Sequence, residues 1–259
     1  MHGCVRAGFE MPVNDLELRG DELLAAISSR SGDIGDRPLT LHWPTVGTAF
    51  DHGVLVVGQA VFGWMNSWTT LDARDRDTRA RIIAEAKDPF RALSDPMGWI
   101  DGHRVRNSPF WRVAHEVTNA LAPGDSPWFS RLAWANLYPV APNDVKGNPG
   151  GALLEAQTRP AAAFLDAAIR GIEPRLVLVT GGPYVRPFVE PLGLGVLEPA
   201  GKPLYLTGRR GGIDWVVGMH PGGASRRGWG PGRYSELIIT TARTIAGALH
   251  EAEMRPDPP

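Results

Sequence analysis

The chain has 259 residues, and its 27 basic and 28 acidic side chains leave a formal charge of −1, so no global field draws it to DNA or to an anionic membrane. A single cysteine, Cys4, excludes an internal disulfide framework and a cysteine-rich zinc or iron–sulfur site. Apolar residues make up 43% of the chain, enough for a substantial core, while 31 glycines and 23 prolines call for many structured turns around it. No apolar run reaches the roughly 18 residues of a spanning helix, and the start lacks a basic and apolar leader pattern. Cytoplasmic residence is the expectation.

Taken in chain order, residues 15–29 have the apolar spacing of one amphipathic helix, followed by a Gly, Asp and Pro-rich connector. Residues 1–50 are therefore expected to form an N-terminal helical extension. The run 54–58 predicts a buried strand, and 73–93 a helix opened by Asp72. A second helix is predicted over 109–121, with Pro109 in its first turn, and a second strand over 132–140. Then come a helix over 152–172 ended near Gly171, a strand over 176–180, and a helix over 184–192. A short edge hairpin over 197–207 turns at Gly201, before a last strand over 215–219 and a helix over 234–253. The Pro-rich tail 255–259 is expected to be disordered. Strands alternating with helices predict an α/β domain over 51–254, its parallel sheet covered on both faces.

In such sheets ligands sit beyond the carboxyl ends of the strands, so the loops after each strand carry the information. The last loop is Met219-His220-Pro221-Gly222-Gly223-Ala224-Ser225-Arg226-Arg227. It holds an imidazole between a buried strand and a proline, with glycines and two arginines beyond. The alternative is a strand-ending turn with solvated charges. Asn136 lies inside the apolar strand Trp134-Ala135-Asn136-Leu137-Tyr138, where its amide must find partners. Those partners are either neighbouring backbone or the donor and acceptor edge of a nucleobase. Gln59 follows the first strand, and Phe62, Trp64 and Trp68 offer either stacking surfaces or core. Asp144 reads as a turn residue, and Gly181-Gly182-Pro183-Tyr184 is the remaining loop at this end. Phosphate-binding, dinucleotide-binding and serine-hydrolase signatures are absent, and no His-x-x-x-His pair occurs among the seven histidines.

The order of these loops resembles the uracil-DNA glycosylase superfamily. The matching stretches are Val56-Val57-Gly58-Gln59-Ala60, Trp134-Ala135-Asn136-Leu137-Tyr138-Pro139 and Val217-Gly218-Met219-His220-Pro221. Asn107-Ser108-Pro109-Phe110-Trp111-Arg112 is similar to the Phe-Trp helix start of the mismatch-type and single-strand-selective branches. The likeness runs from about residue 50 to about residue 250. It implies a three-layer α/β/α fold with a central, mostly parallel four-stranded sheet. It further implies a monofunctional DNA glycosylase of base excision repair that hydrolyses the N-glycosidic bond of a damaged or deaminated base, uracil or a related one, after base flipping. Asn136 would read the base, Phe110 or Phe62 would stack on it, and His220 would stabilise the leaving base as Gln59 orients a water. Gly222 and Gly223 would admit DNA phosphate, Arg226 and Arg227 would supply charge, and Trp229 would be a wedge. The resemblance implies DNA as partner, a monomer, a nucleoid-associated place in the cytoplasm, and neither cofactor nor metal.

The departure is at Gln59-Ala60, where family members place Asp, Glu or Asn. Asp101 and Asp144 are the alternative carboxylates. Two competing readings follow. One is a non-catalytic nucleic-acid or nucleotide-binding protein of the same fold; the other is a hydrolase of free nucleosides or small glycosides. A cluster of Arg209, Arg210, Arg226, Arg227 and Arg233 favours nucleic acid.

Overall fold

The computed structural model describes residues 13–60, 66–88, 93–101, 103–144 and 149–253. Helix α1 (Val13–Ser29) repeats apolar residues at helical spacing, and its Leu16, Leu23, Leu24 and Ile27 are all buried. A single turn, α2 (Ser31–Ile34), and two short strands, β1 (Leu39–Leu41) and β2 (Thr45–Val46), follow. Strand β3 (Val54–Ala60) runs two residues beyond its predicted end and carries Gly58 and Gln59.

Asp72 opens a 3₁₀ turn (Asp72–Arg74), and helix α3 (Arg76–Lys87) is capped by Asp75, whose carboxylate accepts from the Thr78 N–H at 2.8 Å. After α4 (His103–Asn107), helix α5 (Pro109–Leu121) has the predicted bounds. Ser108 caps it and Pro109 sits where no N–H is needed. The predicted strand 132–140 is two strands, β4 (Leu132–Tyr138) and β5 (Val140–Pro142), because Pro139 has no N–H to donate to a ladder.

Helix α6 (Gly151–Ile172) ends at Glu173, which adopts the left-handed conformation, whereas Gly171 is buried within the last turn. Strand β6 (Leu176–Val179) leads into a 3₁₀ segment, Gly182–Phe188, in place of the predicted helix 184–192; Pro183 and Pro187 deny the N–H groups an α-helix needs. Strands β7 (Glu198–Pro199) and β8 (Leu204–Arg210) form the predicted edge hairpin. Then come β9 (Ile213–Gly218), the short α7 (Pro221–Ser225) and α8 (Pro231–Glu253).

The protein is α/β with one mixed sheet of seven strands in the order β2-β4-β3-β6-β9-β8-β7. This corrects the expectation of four strands. The middle four, β4-β3-β6-β9, are mutually parallel, and β2, β8 and β7 extend the edges antiparallel. A separate two-stranded sheet pairs β1 with β5.

Alternate residues of the parallel strands enter two distinct apolar clusters, as a period of two requires. Leu55, Val57, Ala135, Val177, Val179 and Val217 pack with residues of α1, α3 and α6. Val54, Val56, Trp134, Leu176, Leu178 and Val216 pack with α5 and α8. The residues that follow these strands at their carboxyl ends therefore converge on one rim. No helix among the described residues is long and apolar enough to cross a membrane.

Candidate functional site

Gly58 and Asn136 are register partners on the adjacent parallel strands β3 and β4. A Cβ at position 58 would lie 2.5 Å from Asn136 Oδ1 and 3.5 Å from the Phe110 ring. Only glycine admits all three groups. Asn136 is 3% exposed, and its Nδ2 has no hydrogen-bond partner among the described residues. A buried donor without an acceptor is costly, by about 1–3 kcal/mol, so its place here calls for a specific reason.

Phe110 is fixed by the start of α5, where Ser108 and Pro109 set the first turn. Its ring packs edge-on against Trp111 and lies nearly parallel to His220, with centroids 6.3 Å apart and planes 10° apart. Behind it Trp111, Trp99 and Trp134 form a mutually contacting aromatic floor, continued by His42, whose ring is 4.0 Å from that of Trp134.

His220 is the N-cap of α7. Its carbonyl accepts from the N–H groups of Gly223 and Ala224, and its Nδ1 accepts from the Gly222 N–H at 3.2 Å. A ring nitrogen that accepts carries no proton, so the imidazole is neutral and its Nε2 bears the hydrogen. Burial, and then the nearby Arg226 guanidinium, hold this histidine below its ordinary pKa, in agreement with the neutral form. The N–H groups of Gly222 and Gly223 are thus engaged by His220 itself, which leaves the loop's positive charge to Arg226 and Arg227, both exposed.

The strand before His220 is pinned by a residue that sequence reasoning missed. Tyr234 on α8 is fully buried, and its hydroxyl donates to the Met219 carbonyl at 2.7 Å. Gly218 makes this contact geometrically feasible, because a Cβ there would fall on the hydroxyl. Burial pushes the Tyr234 phenol well above its usual pKa, so it stays a donor. In sequence, Tyr234 reads only as one apolar residue of a long helix.

Gln59, half-buried at the end of β3, donates from Nε2 to the Gly181 carbonyl at 2.8 Å. Gly182 brings the loop after β6 beside His220, since a Cβ there would be 3.7 Å from the His220 N–H nitrogen and 3.8 Å from Gln59 Nε2. Gln59, Asn136, Phe110 and His220, drawn from four separate parts of the chain, are thereby brought together. Phe62, with Val61, Gly63 and Trp64, lies outside the described residues.

Asp144 is exposed and paired with Arg37 at 2.9 Å, which holds its carboxyl below the usual range, and Asp101 is exposed after a 3₁₀ turn. Trp68 is core, hydrogen-bonded through its backbone to Leu39. The five arginines grouped in sequence are split by the β8–β9 hairpin. Arg209 pairs with Asp214 and Arg210 with Asp166 at the amino-terminal end of β9, while Arg226, Arg227 and Arg233 stay at the rim beyond His220. A separate depression lined by Val54, Leu176, Arg175, Asp214 and Arg243 lies at the opposite ends of the strands. No group of three or more His, Cys, Asp or Glu side chains that could hold a metal occurs among the described residues. Neither a protein-family model nor a curated protein matches this sequence.

Proposed function

We propose that this chain is a monofunctional DNA glycosylase, with the three-layer fold of the uracil-DNA glycosylase type, that removes a deaminated or otherwise modified base. The sheet order β4-β3-β6-β9, all parallel with helices packed on either face, supports the fold reading. The observation that carries the function is the unpaired Nδ2 of buried Asn136 beside Gly58 and the ring of Phe110. A flat ring stacked on Phe110 would present a carbonyl oxygen to that donor. Deamination puts a carbonyl where the parent base has an amine, so a deaminated base matches the amide.

Flipping brings the nucleotide into the pocket. Water attacks the sugar carbon as the N-glycosidic bond breaks, and the bonding pair leaves with the base. His220, donating from Nε2, stabilises the charge that collects on the base; one such donor contributes about 10²- to 10³-fold in rate. The water's proton passes to solvent or to the departing base. Gln59 orients the water but cannot take its proton at neutral pH, and Ala60 beside it offers nothing. Turnover is accordingly slow.

The test is release of free base from oligonucleotides carrying uracil, hypoxanthine, xanthine, hydroxymethyluracil or mismatched thymine. Base release lost in both His220→Ala and Asn136→Ala, with the fold intact, supports the reading. Full activity in both variants overturns the site. A second reading, a binding protein without catalysis, is favoured by Ala60 and by the pairing of Asp144 with Arg37. It expects the same oligonucleotides to bind without an abasic product.

A further inference from the structure

Two lips flank the cluster of Asn136, Phe110 and His220, and each combines an aromatic ring with an arginine. The first is the 3₁₀ segment after β6. Val185 and Phe188 anchor it in the core while Pro183, Tyr184, Arg186 and Pro187 face outward. Tyr184 is 38% exposed and is the one aromatic among the large exposed apolar side chains of the described residues. Its ring meets Tyr138 edge-on, with centroids 6.3 Å apart at 86°, and its carbonyl accepts from the Tyr138 hydroxyl at 3.4 Å. The ring is thus held in place at an exposed position. Two prolines stiffen the segment that bears it. The second lip, after α7, has the Arg233 guanidinium 4.5 Å above the Trp229 ring, with Arg226 and Arg227 exposed beside it. None of Arg186, Arg226, Arg227 and Arg233 forms an ion pair among the described residues.

Resting on the glycosylase reading, we infer that these lips bind single-stranded nucleic acid in preference to duplex. The nucleotide beside the flipped one stacks on Tyr184, with backbone phosphates on the arginines. Aromatic platforms of this kind act on unpaired bases, whose faces are free to stack. Duplex substrates also demand something that this loop lacks. Extracting a base from a paired stack costs a few kcal/mol and is commonly offset by an apolar side chain pushed into the gap. Across residues 221–228, Pro221 and Ala224 are buried, Gly222, Gly223 and Gly228 have no side chain, and Ser225, Arg226 and Arg227 are polar. Trp229 is packed against the cluster of α5 and α8 and covered by Arg233. A strand already unpaired needs no such wedge.

The experiment is fluorescence anisotropy of a labelled, unmodified twelve-residue oligothymidylate, alone and annealed to its complement. The protein is compared with Tyr184→Ala, Arg186→Ala and a distant exposed control, Val196→Ala. The single strand is expected to bind at least about tenfold tighter than the duplex. Tyr184→Ala should weaken it by about 5- to 150-fold, the range for one stacked base. Arg186→Ala should lower the slope of log affinity against log salt by about 0.7, and Val196→Ala should change nothing. Equal or tighter duplex binding, or full affinity in Tyr184→Ala, overturns the inference; the glycosylase reading stands in that case if base is still released. Failure to bind either form also overturns the inference, and the glycosylase reading then stands or falls on base release alone.

Discussion

Gly58 and Asn136 face each other across two parallel strands with no room for even a methyl group between the Gly58 backbone and the Asn136 carbonyl oxygen, since that methyl would sit 2.5 Å from Oδ1. The Asn136 amide owes its orientation to this gap. Gly58→Ala should therefore turn or displace the amide, destabilise the fold by about 1–3 kcal/mol as overpacking does, and reduce base release by about a hundredfold. Gly232→Ala is the control, because its Cβ meets nothing within 4 Å and it lies in α8, where alanine is the better helix former. Thermal melts and release assays on both variants decide the matter; a Gly58→Ala protein with normal activity would show that the amide is not the reader.

The protonation state of His220 sets a pH dependence. Nδ1 must stay unprotonated to accept from Gly222, and both burial and Arg226 lower the histidine's pKa from 6.5. Base release should thus rise with pH to a plateau, with its acid limb below pH 6.5. Arg226→Ala removes a repelling charge, so the proton binds at higher pH and the limb moves upward. The measurement is turnover at saturating substrate from pH 4.5 to 8, a range of about 3.5 units around the histidine value. A limb that stays put or moves down in Arg226→Ala would exclude the arginine's role.

Tyr234 holds the strand end that carries His220. Tyr234→Phe leaves the buried Met219 carbonyl without its donor, at a cost of about 1–2 kcal/mol. The phenyl ring still fills the core, so the protein should fold. Turnover should fall on the order of tenfold while KM stays the same, because the substrate's own contacts are intact and only the aim of the imidazole is loosened. Lost stability with kcat and KM both unchanged would speak for a purely structural hydroxyl.

Acid should weaken the whole fold through His42. Burial holds this histidine down to about 3, against 6.5 in an unfolded chain. Between those values the unfolded state binds a proton that the folded state refuses, so stability rises with pH in this window and is lost as pH falls from 6.5 toward 3. The slope from one such group is about 1.4 kcal/mol per pH unit. His42→Leu should remove that slope, read as the difference between urea midpoints of the two proteins from pH 6.5 down to pH 4.

Strand runs, helix spacing and the loops beyond the strands were legible, because burial on both faces and a 3.6-residue period leave direct traces in apolar patterning. The helix 109–121 is the clearest case, since Ser108 and Pro109 mark its start as plainly as any cap does. Prolines were the main source of error. Pro139 broke one predicted strand in two, and Pro183 with Pro187 turned a predicted helix into a 3₁₀ segment. The short antiparallel strands β1 and β2 left no signal, because two or three residues cannot show a period. Strand order was equally invisible, since alternation records which face is buried and not which neighbour is paired. For the same reason the arginines grouped in sequence did not reveal that the β8–β9 hairpin carries Arg209 and Arg210 to the opposite end.

Strand β3 is hydrogen-bonded on both sides, to β4 and to β6, and it delivers Gly58 and Gln59 to the rim. Amide protons of such a strand exchange with solvent only in the rarest openings, while those of exposed turns exchange freely. Gly58 and Gln59 are therefore fixed on one of the slowest-opening parts of the molecule, and so is Asn136 on the neighbouring strand β4.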